Sequence, residues 1–379
     1  MMDYEVLRFI WWLLIGVLLI GFVITDGFDL GVAVLLKLIG KNDDQRRVMI
    51  NSIAPHWDGN QVWLVTAIGA LFAAWPTVYA AAFSSFYFVM MLTLFALFLR
   101  PIGFEYRAKI DNDAWRNKCD WALTIGSAVP AVLFGVAFGN LLQGVPFYFD
   151  DILRLHYTGG FFDLLNPFAL FVGLFSFLML VNHGATYLQL KTEDDIKARS
   201  ERISTLLSAS CAVLFVLAGL WLYYGIDGYS VTSIIDTNGI NRTTEKTVVI
   251  SAAAWFNNYA KWPWLSLIPI LGVLSFMVCA LSSATKRHLL AFLSSAVALT
   301  MVIATAGVSM FPFIMPSSSM PAHSLTMWDA TASQTSLQIM FVVACVFVPI
   351  VLSYTAWSYF VMRGRLNEQH VRDNSHSLY

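Results

Sequence analysis

The chain has 379 residues, of which 58% are hydrophobic and 12% are charged, and its net charge is −1. The charged fraction is about half of that in a soluble globular domain, so the composition indicates a protein that lies within a lipid bilayer. It excludes disordered, collagen-like and disulfide-stapled proteins, and the near-zero net charge argues against a nucleic-acid partner.

Nine segments of the sequence are long and apolar enough to span a bilayer as helices, since a span needs about 20 such residues. In chain order they are Phe9–Leu36, Ile50–Trp75, Val78–Leu99, Trp121–Leu142, Pro167–Leu188, Ile203–Tyr224, Trp264–Leu281, Leu289–Phe313 and Leu337–Met362. We therefore expect an all-α polytopic membrane protein whose bundled helices form a single transmembrane domain over residues 1–379. Residues 227–262 are polar and are predicted to form an external loop, either as a docking segment or as a plain connector.

The distribution of lysine and arginine predicts the orientation of these helices. If nine helices cross the membrane in alternating directions, 18 of the 23 basic residues lie in the segments on one side and five lie on the other. Basic residues concentrate on the cytoplasmic side of membrane proteins. The amino terminus is therefore expected outside and the carboxy terminus in the cytoplasm.

Ionisable side chains interrupt the first two predicted helices. Each costs roughly 2.5–3.5 kcal/mol in a spanning helix, so each needs a partner, water or a function. Asp26 lies 17 residues after the start of the first helix, and Asp58 lies 17 residues before the end of the second, which is about 26 Å along either helix. The two carboxylates are therefore expected at one depth, in the inner third of the membrane. Asp29 shares a helix face with Asp26, and Gln61 shares one with Asp58.

The third predicted helix brings a cation to the same level. Arg100 lies just beyond its last residue, and Glu105 and Lys109 follow closely. Carboxylates with water between them relay protons, and a nearby arginine holds part of the negative charge. This arrangement favours a proton-entry path from the cytoplasm. The alternative is an ion-paired network that only holds helices together. One acid is enough for such a network, and this level has three.

Two histidines fall within predicted helices, His56 in HWDGNQVW and His183 in VNHGATY. Membrane histidines can ligate haem iron, but a bundle normally holds a b-type haem with histidines on facing helices at matching depth. We interpret both as hydrogen-bonded and non-ligating, with ligation by this pair as the alternative. No Walker, GxGxxG, HExxH or nucleophile-elbow motif occurs, so neither a catalytic nor a metal-binding residue is predicted.

Long strings spread over nearly the whole chain resemble one known family. They are YEVLRFIWWLLIGVLLIGF, TDGFDLGV, NSIAPHWDGNQVW, ALFAAWPTVYAAAFS, FLRPIGFEYR, GNLLQGVPF, MFPFIMPSS, LTMWDATASQ and the closing NSHSLY. The family is subunit II of the bacterial cytochrome bd quinol oxidases, of the proteobacterial kind. The resemblance implies a terminal respiratory oxidase of the inner membrane that oxidises ubiquinol or menaquinol and reduces dioxygen to water. Haem b and haem d are then ligated by a partner, subunit I, and a small single-span accessory subunit is also implied.

The resemblance also implies roles for particular residues. By the family's motifs, the proton path matches Asp58, Glu105 and Lys109, while Asp26, Asp29 and Arg100 lie at positions that the family also fills with these residues. The family usually has aspartate where this chain has Glu105, which keeps the acid but changes the distances. Trp63 is a candidate for an oxygen route.

Two other functions are consistent with these residues when the family resemblance is set aside. Buried acids on several helices also suit a proton-coupled transporter, although the chain lacks a matched pair of Gly/Pro-broken helices in two halves. A purely structural scaffold is the third reading, and it predicts that Asp58 can be neutralised without loss of turnover.

Overall fold

The structure, a computed structural model, describes residues 2–373. The string NSHSLY at residues 374–379 lies outside the described residues. The helices of the described part are α1 (Tyr4–Ile39), α2 (Asp43–Ile53), α3 (Trp57–Ala74), α4 (Pro76–Ser85), α5 (Tyr87–Leu97), α6 (Leu99–Tyr106), α7 (Asp113–Gln143), α8 (Pro167–Lys191), α9 (Asp194–Gly225), α10 (Asn257–Lys261), α11 (Leu267–Ala284), α12 (His288–Met310), α13 (Gln334–Val361) and α14 (Glu368–Asp373). The strands are β1 (Phe147–Phe149), β2 (Leu155–Tyr157), β3 (Asp227–Val231), β4 (Val248–Ala252), β5 (Phe313–Met315) and β6 (Leu325–Thr326).

Eight helical segments within residues 2–373 are long and apolar enough to cross a membrane. They are Tyr4–Ile39, Tyr87–Tyr106, Asp113–Gln143, Pro167–Lys191, Asp194–Gly225, Pro263–Ala284, His288–Met310 and Gln334–Val361. The predicted class, a mostly helical polytopic membrane protein, is confirmed. The count of nine spans and the orientation of the termini stay predictions.

The second and third predicted segments are wrong as continuous helices. The segment 50–75 is divided between α2, which ends at Ile53, and α3, which begins at Trp57. Pro55 lies in the break, and a proline has no backbone N–H to continue a helix. The segment 78–99 is divided among α4, α5 and α6.

Asparagine side chains begin several of these helices. Asn42, Asn112 and Asn166 precede α2, α7 and α8, and the side-chain oxygen of each accepts a hydrogen bond from the backbone N–H three residues later. Such caps satisfy backbone donors that the first helical turn leaves without partners. In α8 the cap is followed by Pro167, whose fixed φ suits the first helical position.

Helix α8 lies at the centre of the bundle and packs against α1, α7, α9 and α12. Small residues allow these close crossings. A Cβ added to Gly184 of α8 would come within 2.4 Å of the Gly31 backbone in α1, and one added to Gly135 of α7 would come within 2.5 Å of the Val172 carbonyl oxygen. Helix backbones in contact at small residues are typical of membrane bundles. The α1–α8 crossing therefore fixes the height of Asp29 and His183 in the bundle.

The segment predicted as an external loop, 227–262, is partly ordered into secondary structure. Strands β3 and β4 form an antiparallel hairpin within it, and α10 follows. Arg8 of α1 donates to the carbonyl oxygens of Thr237 and Gly239 at 2.7 and 3.0 Å. The segment is therefore bound to the amino-terminal end of α1.

A buried ion pair holds the same segment to the chain before α13. Lys246 Nζ lies 2.9 Å from Asp329 Oδ2, and both side chains are almost fully buried. Burial lowers the pKa of Lys246, and Asp329 opposes that effect; burial raises the pKa of Asp329. The pair is retained because each charge compensates the other away from water.

Candidate functional site

A buried arginine–carboxylate pair joins the first helix to the sixth. Arg100 of α6 donates from Nη2 to Asp26 Oδ1 at 2.6 Å and from Nη1 to Asp26 Oδ2 at 3.1 Å. Its Nη1 also lies 3.5 Å from Gln61 Oε1 of α3. Both charged side chains are at most 1% exposed. A two-point pair of this kind fixes the orientation of both groups and neutralises their charges inside the bundle.

Asp29 belongs to a second chain of hydrogen bonds at the same level. Asn60 Nδ2 of α3 donates to Asp29 Oδ2 at 2.7 Å, and the Tyr359 hydroxyl of α13 donates to Asn60 Oδ1 at 2.6 Å. Asp29 Oδ1 is buried and has no hydrogen-bond partner. A buried carboxyl oxygen without a donor is a position where a proton or a water molecule can bind.

Aromatic rings surround these two groups. Trp57 stacks on Phe104 with ring centroids 4.8 Å apart, and the Arg100 guanidinium lies 5.6 Å from the Trp57 ring centroid. On the other side, the His56 ring stacks on Tyr359 at 4.2 Å. His56 Nε2 is buried and unpartnered. The rings keep the charged groups in a poorly hydrated environment, where electrostatic interactions are strong.

Asp58 lies beside this cluster but faces away from it. It is exposed on α3, on a stripe that continues through Val62, Val65, Gly69 and Phe72 at helical spacing. Arg100 still lies within the electrostatic influence of the Asp58 carboxylate. The chain therefore presents Asp58 at the edge of an uncovered helix face, next to buried charges.

The remaining predicted residues lie around the cluster. Glu105 and Lys109 are exposed on the segment that follows Arg100. Trp63 is partly buried, and its ring packs so closely on α1 that a Cβ at Gly21 would lie 2.4 Å from it. The structure thus brings Asp26, Asp29 and Arg100 together, with Asp58, Glu105, Lys109 and Trp63 outside that core.

Sequence reasoning missed Asn60 as the partner of Asp29 and Tyr359 as the partner of Asn60, and it missed a second charged network. Asp120 of α7 is fully buried and accepts from Arg107 Nε at 2.7 Å and from Arg46 Nη1 at 3.1 Å. Burial opposes the charge on Arg107, but Asp120 and Asp43 raise the pKa of its guanidinium. The signal in the sequence is an acid, Asp120, that lies directly before a predicted helix and close to basic residues.

His183 is held by hydrogen bonds on both ring nitrogens. Nε2 donates to the Ile24 carbonyl oxygen at 3.0 Å, and Nδ1 lies 3.0 Å from Ser295 Oγ. A carbonyl oxygen only accepts, so Nε2 carries a proton, and the Ser295 hydroxyl can pair with Nδ1 as either donor or acceptor. Among residues 2–373, no group of three or more His, Cys, Asp or Glu side chains could hold a metal ion.

Comparisons with known proteins agree along the whole length of the chain. Residues 7–362 match the family model described as cytochrome bd terminal oxidase subunit II. The chain is 55% identical over 379 residues to cytochrome bd-I ubiquinol oxidase subunit 2 of Escherichia coli strain K12, and it covers all of both chains. It is 30% identical over 360 residues to cytochrome bd ubiquinol oxidase subunit 2 of Bacillus subtilis, covering 95% of this chain and 97% of the relative.

A solved structure shows the same fold. The bd oxidase of Geobacillus thermodenitrificans aligns with a TM-score of 0.71 and 13% identity, covering 94% of this chain and 98% of the other. The family model and the full-length identities together assign this sequence. The chain belongs to the cytochrome bd terminal oxidase subunit II family.

Proposed function

We propose that this chain is the second subunit of a quinol:O2 oxidoreductase in the bacterial inner membrane. The observation that carries this proposal is family membership over residues 7–362, together with 55% identity over the full length of a ubiquinol oxidase subunit. The substrates are then quinol, ubiquinol or menaquinol, and dioxygen. The partners are subunit I and, as the resemblance implies, a small single-span accessory subunit.

Haem b and haem d belong to the partner in this proposal, because the described side chains of this subunit do not fit a haem. Both ring nitrogens of His183 are engaged by Ile24 and Ser295. His56 Nε2 has no hydrogen-bond partner, but it is buried, and the face of its ring stacks on Tyr359. A haem iron needs an accessible ring nitrogen, so no step of the chemistry is assigned to a cofactor on this chain.

The part that this chain contributes is a path for protons from the cytoplasm. Glu105 and Lys109 gather protons at the membrane surface, and Asp58 passes them along the uncovered face of α3 toward subunit I. Arg100 binds Asp26 at 2.6 Å, while Asp29 offers an unpartnered oxygen one helical turn away. Fixed charges beside a relay carboxylate tune its proton affinity, since a nearby cation favours the ionised form. Trp63 is proposed to border an oxygen route on the same helix.

The family assignment does not favour a transporter, and copurification tests the difference. Purified from membranes under mild detergent, the chain should be accompanied by a second polytopic subunit and by haem b and haem d absorbance in a reduced-minus-oxidised spectrum. A colourless chain that purifies alone and transports a solute would contradict the proposal.

We further propose nine spans, with α3 as the ninth. Helix α3 has 18 residues, and its polar first turn, Trp57 to Gln61, lowers its hydropathy below that of the other spans. Among the described basic residues, the ends of α1, α8 and α13 next to Lys37, Lys191 and Arg363 then face the cytoplasm. In a cysteine-free background, an impermeant maleimide should label a cysteine at residue 240 from outside and one at residue 195 only after lysis. Labelling of both from the same side would show that the helix count is wrong.

A further inference from the structure

A cavity of about 390 Å³ opens between the last spanning helix and the bundle. Helix α13 leaves this gap because Leu337 is its only buried residue among those described. The cavity is lined by residues of α1, α8, α12 and α13 and of the turn that follows α13: Phe28, Tyr187, Leu190, Lys191, Phe292, Tyr359, Arg363 and Arg365. It adjoins the charged cluster at Tyr359, whose side chain lines the cavity and whose hydroxyl donates to Asn60.

The floor of the cavity is aromatic. Phe28 and Tyr187 stack with ring centroids 4.0 Å apart, and Phe292 and Tyr359 contact Phe28 edge-on at 6.2 and 6.4 Å. Such a surface accepts hydrocarbon and offers few hydrogen bonds, so it suits an acyl chain better than a polar metabolite.

The mouth of the cavity is basic. Lys191, Arg363 and Arg365 all line it, and within residues 2–373 no carboxylate forms an ion pair with any of the three. The Arg363 guanidinium lies 3.9 Å from the Phe360 ring centroid, and Lys191 Nζ donates to the Met362 carbonyl oxygen. Three cations at one opening, none of them in an ion pair within residues 2–373, attract an anion.

The turn that carries the two arginines is fastened in place. Leu366 N donates to the Lys191 carbonyl oxygen at 2.9 Å, and Thr192 and Leu366 form a backbone bridge. The tail after α13 is thereby joined to the end of α8, so the cations of both segments stay together. A preformed arrangement loses less entropy on binding a ligand.

We propose that this cavity binds the phosphate group of an anionic phospholipid, with Lys191, Arg363 and Arg365 on the phosphate and an acyl chain over the aromatic floor. Basic pockets between membrane helices on the cytoplasmic side take acidic lipid head groups, and guanidinium groups bind phosphate with strong charge-assisted hydrogen bonds. An isoprenoid quinone offers neutral carbonyl oxygens as acceptors but no negative charge to balance the three cations. A free phosphate ion shares the head-group chemistry but leaves the aromatic floor uncovered.

The test uses the purified oxidase complex after detergent delipidation. Phosphatidylglycerol or phosphatidylcholine is added back, and native mass spectrometry counts the lipids that the complex retains. The variant Arg363→Gln with Arg365→Gln removes two positive charges at exposed positions, so folding is not at risk. The matched control, Lys197→Gln with Arg202→Gln, removes two charges from α9 at the same end of the bundle. We expect phosphatidylglycerol to bind about tenfold or more weakly to the first variant and normally to the control.

Competition by inorganic phosphate distinguishes the two sources of the anion. If millimolar phosphate leaves phosphatidylglycerol binding unchanged, the lipid is the ligand, as we propose. If phosphate displaces it fully, the aromatic floor contributes nothing and the lipid assignment fails. Equal retention by both charge variants, or retention of a quinone or phosphatidylcholine in place of phosphatidylglycerol, would also overturn the proposal. Each outcome is independent of quinol oxidation, so it leaves the proposed function untouched.

Discussion

Arg100→Met should lower the equilibrium constant for folding and assembly about a hundredfold or more, and the yield of assembled complex should fall with it. Methionine keeps much of the arginine's length but removes its charge, which leaves the Asp26 carboxylate buried without the group that binds it at 2.6 Å. Removing one partner of a buried ion pair costs about 3–5 kcal/mol, and each 1.4 kcal/mol changes an equilibrium about tenfold. The measurement is the haem absorbance of complex purified per mass of membrane, with subunit amounts checked by immunoblot.

The matched control is Arg116→Met. Arg116 pairs with Asp111 and Asp113, whose carboxylates are almost fully exposed, and exposed pairs of this kind contribute about 0–1 kcal/mol. We expect normal assembly. If Arg100→Met also assembles normally, the buried pair does not stabilise the bundle and the prediction is wrong.

A double variant separates the stabilising role of this pair from a chemical one. Replacing both partners of a buried ion pair with apolar residues is often neutral or stabilising, so Asp26→Leu with Arg100→Met should recover assembly. Recovered assembly with normal turnover would identify the pair as a helix lock. Recovered assembly with low turnover would assign the pair to the proton path.

Helical geometry was enough to group Asp26 with Asp29, and antiparallel packing was enough to bring polar residues of α3 beside them. Asp26 and Asp29 are three residues apart and share a face, and the structure places Asn60 and Gln61 of α3 within hydrogen-bond distance of Asp29 and Arg100. Depth, however, does not set the rotation of a helix about its axis. The sequence therefore could not show that Arg100 pairs with Asp26 and that Asp58 points outward.

The sequence also could not show which residues far apart in the chain contact each other. Tyr359 bonds Asn60 across 299 positions, and a tyrosine near the end of a spanning helix is equally typical of the aromatic belt at a membrane interface. Asp120 lies directly before a predicted span, so it does not stand out as an ionisable residue within a helix. The break near Pro55 was a local signal, but the apolar run from Val62 to Trp75 outweighed it in a window of about 20 residues.

The position of Asp58 is better suited to proton transfer than to holding helices together. It makes no hydrogen bond or ion pair within the described part of the chain, and it is exposed on the α3 stripe. A residue that holds helices together must contact residues of those helices. A relay residue must instead reach both water and the next proton acceptor, and the contact that we propose between this face and subunit I would provide that access.

Asp58→Asn should therefore assemble with normal haem content but lose at least about tenfold in quinol-oxidase turnover, because asparagine keeps the shape of aspartate and cannot carry a proton. Oxygen consumption by the purified complex at saturating quinol measures the loss, and Asp58→Glu should recover much of it. The matched control is Asp194→Asn, an exposed aspartate in a left-handed backbone conformation that asparagine adopts readily, and its turnover should be normal. Full activity of Asp58→Asn would contradict the relay and support a scaffold role for this subunit. Since Asp58 has no bonding partner within residues 2–373, a failure of Asp58→Asn to assemble would locate the residue in the contact with subunit I and likewise contradict the prediction.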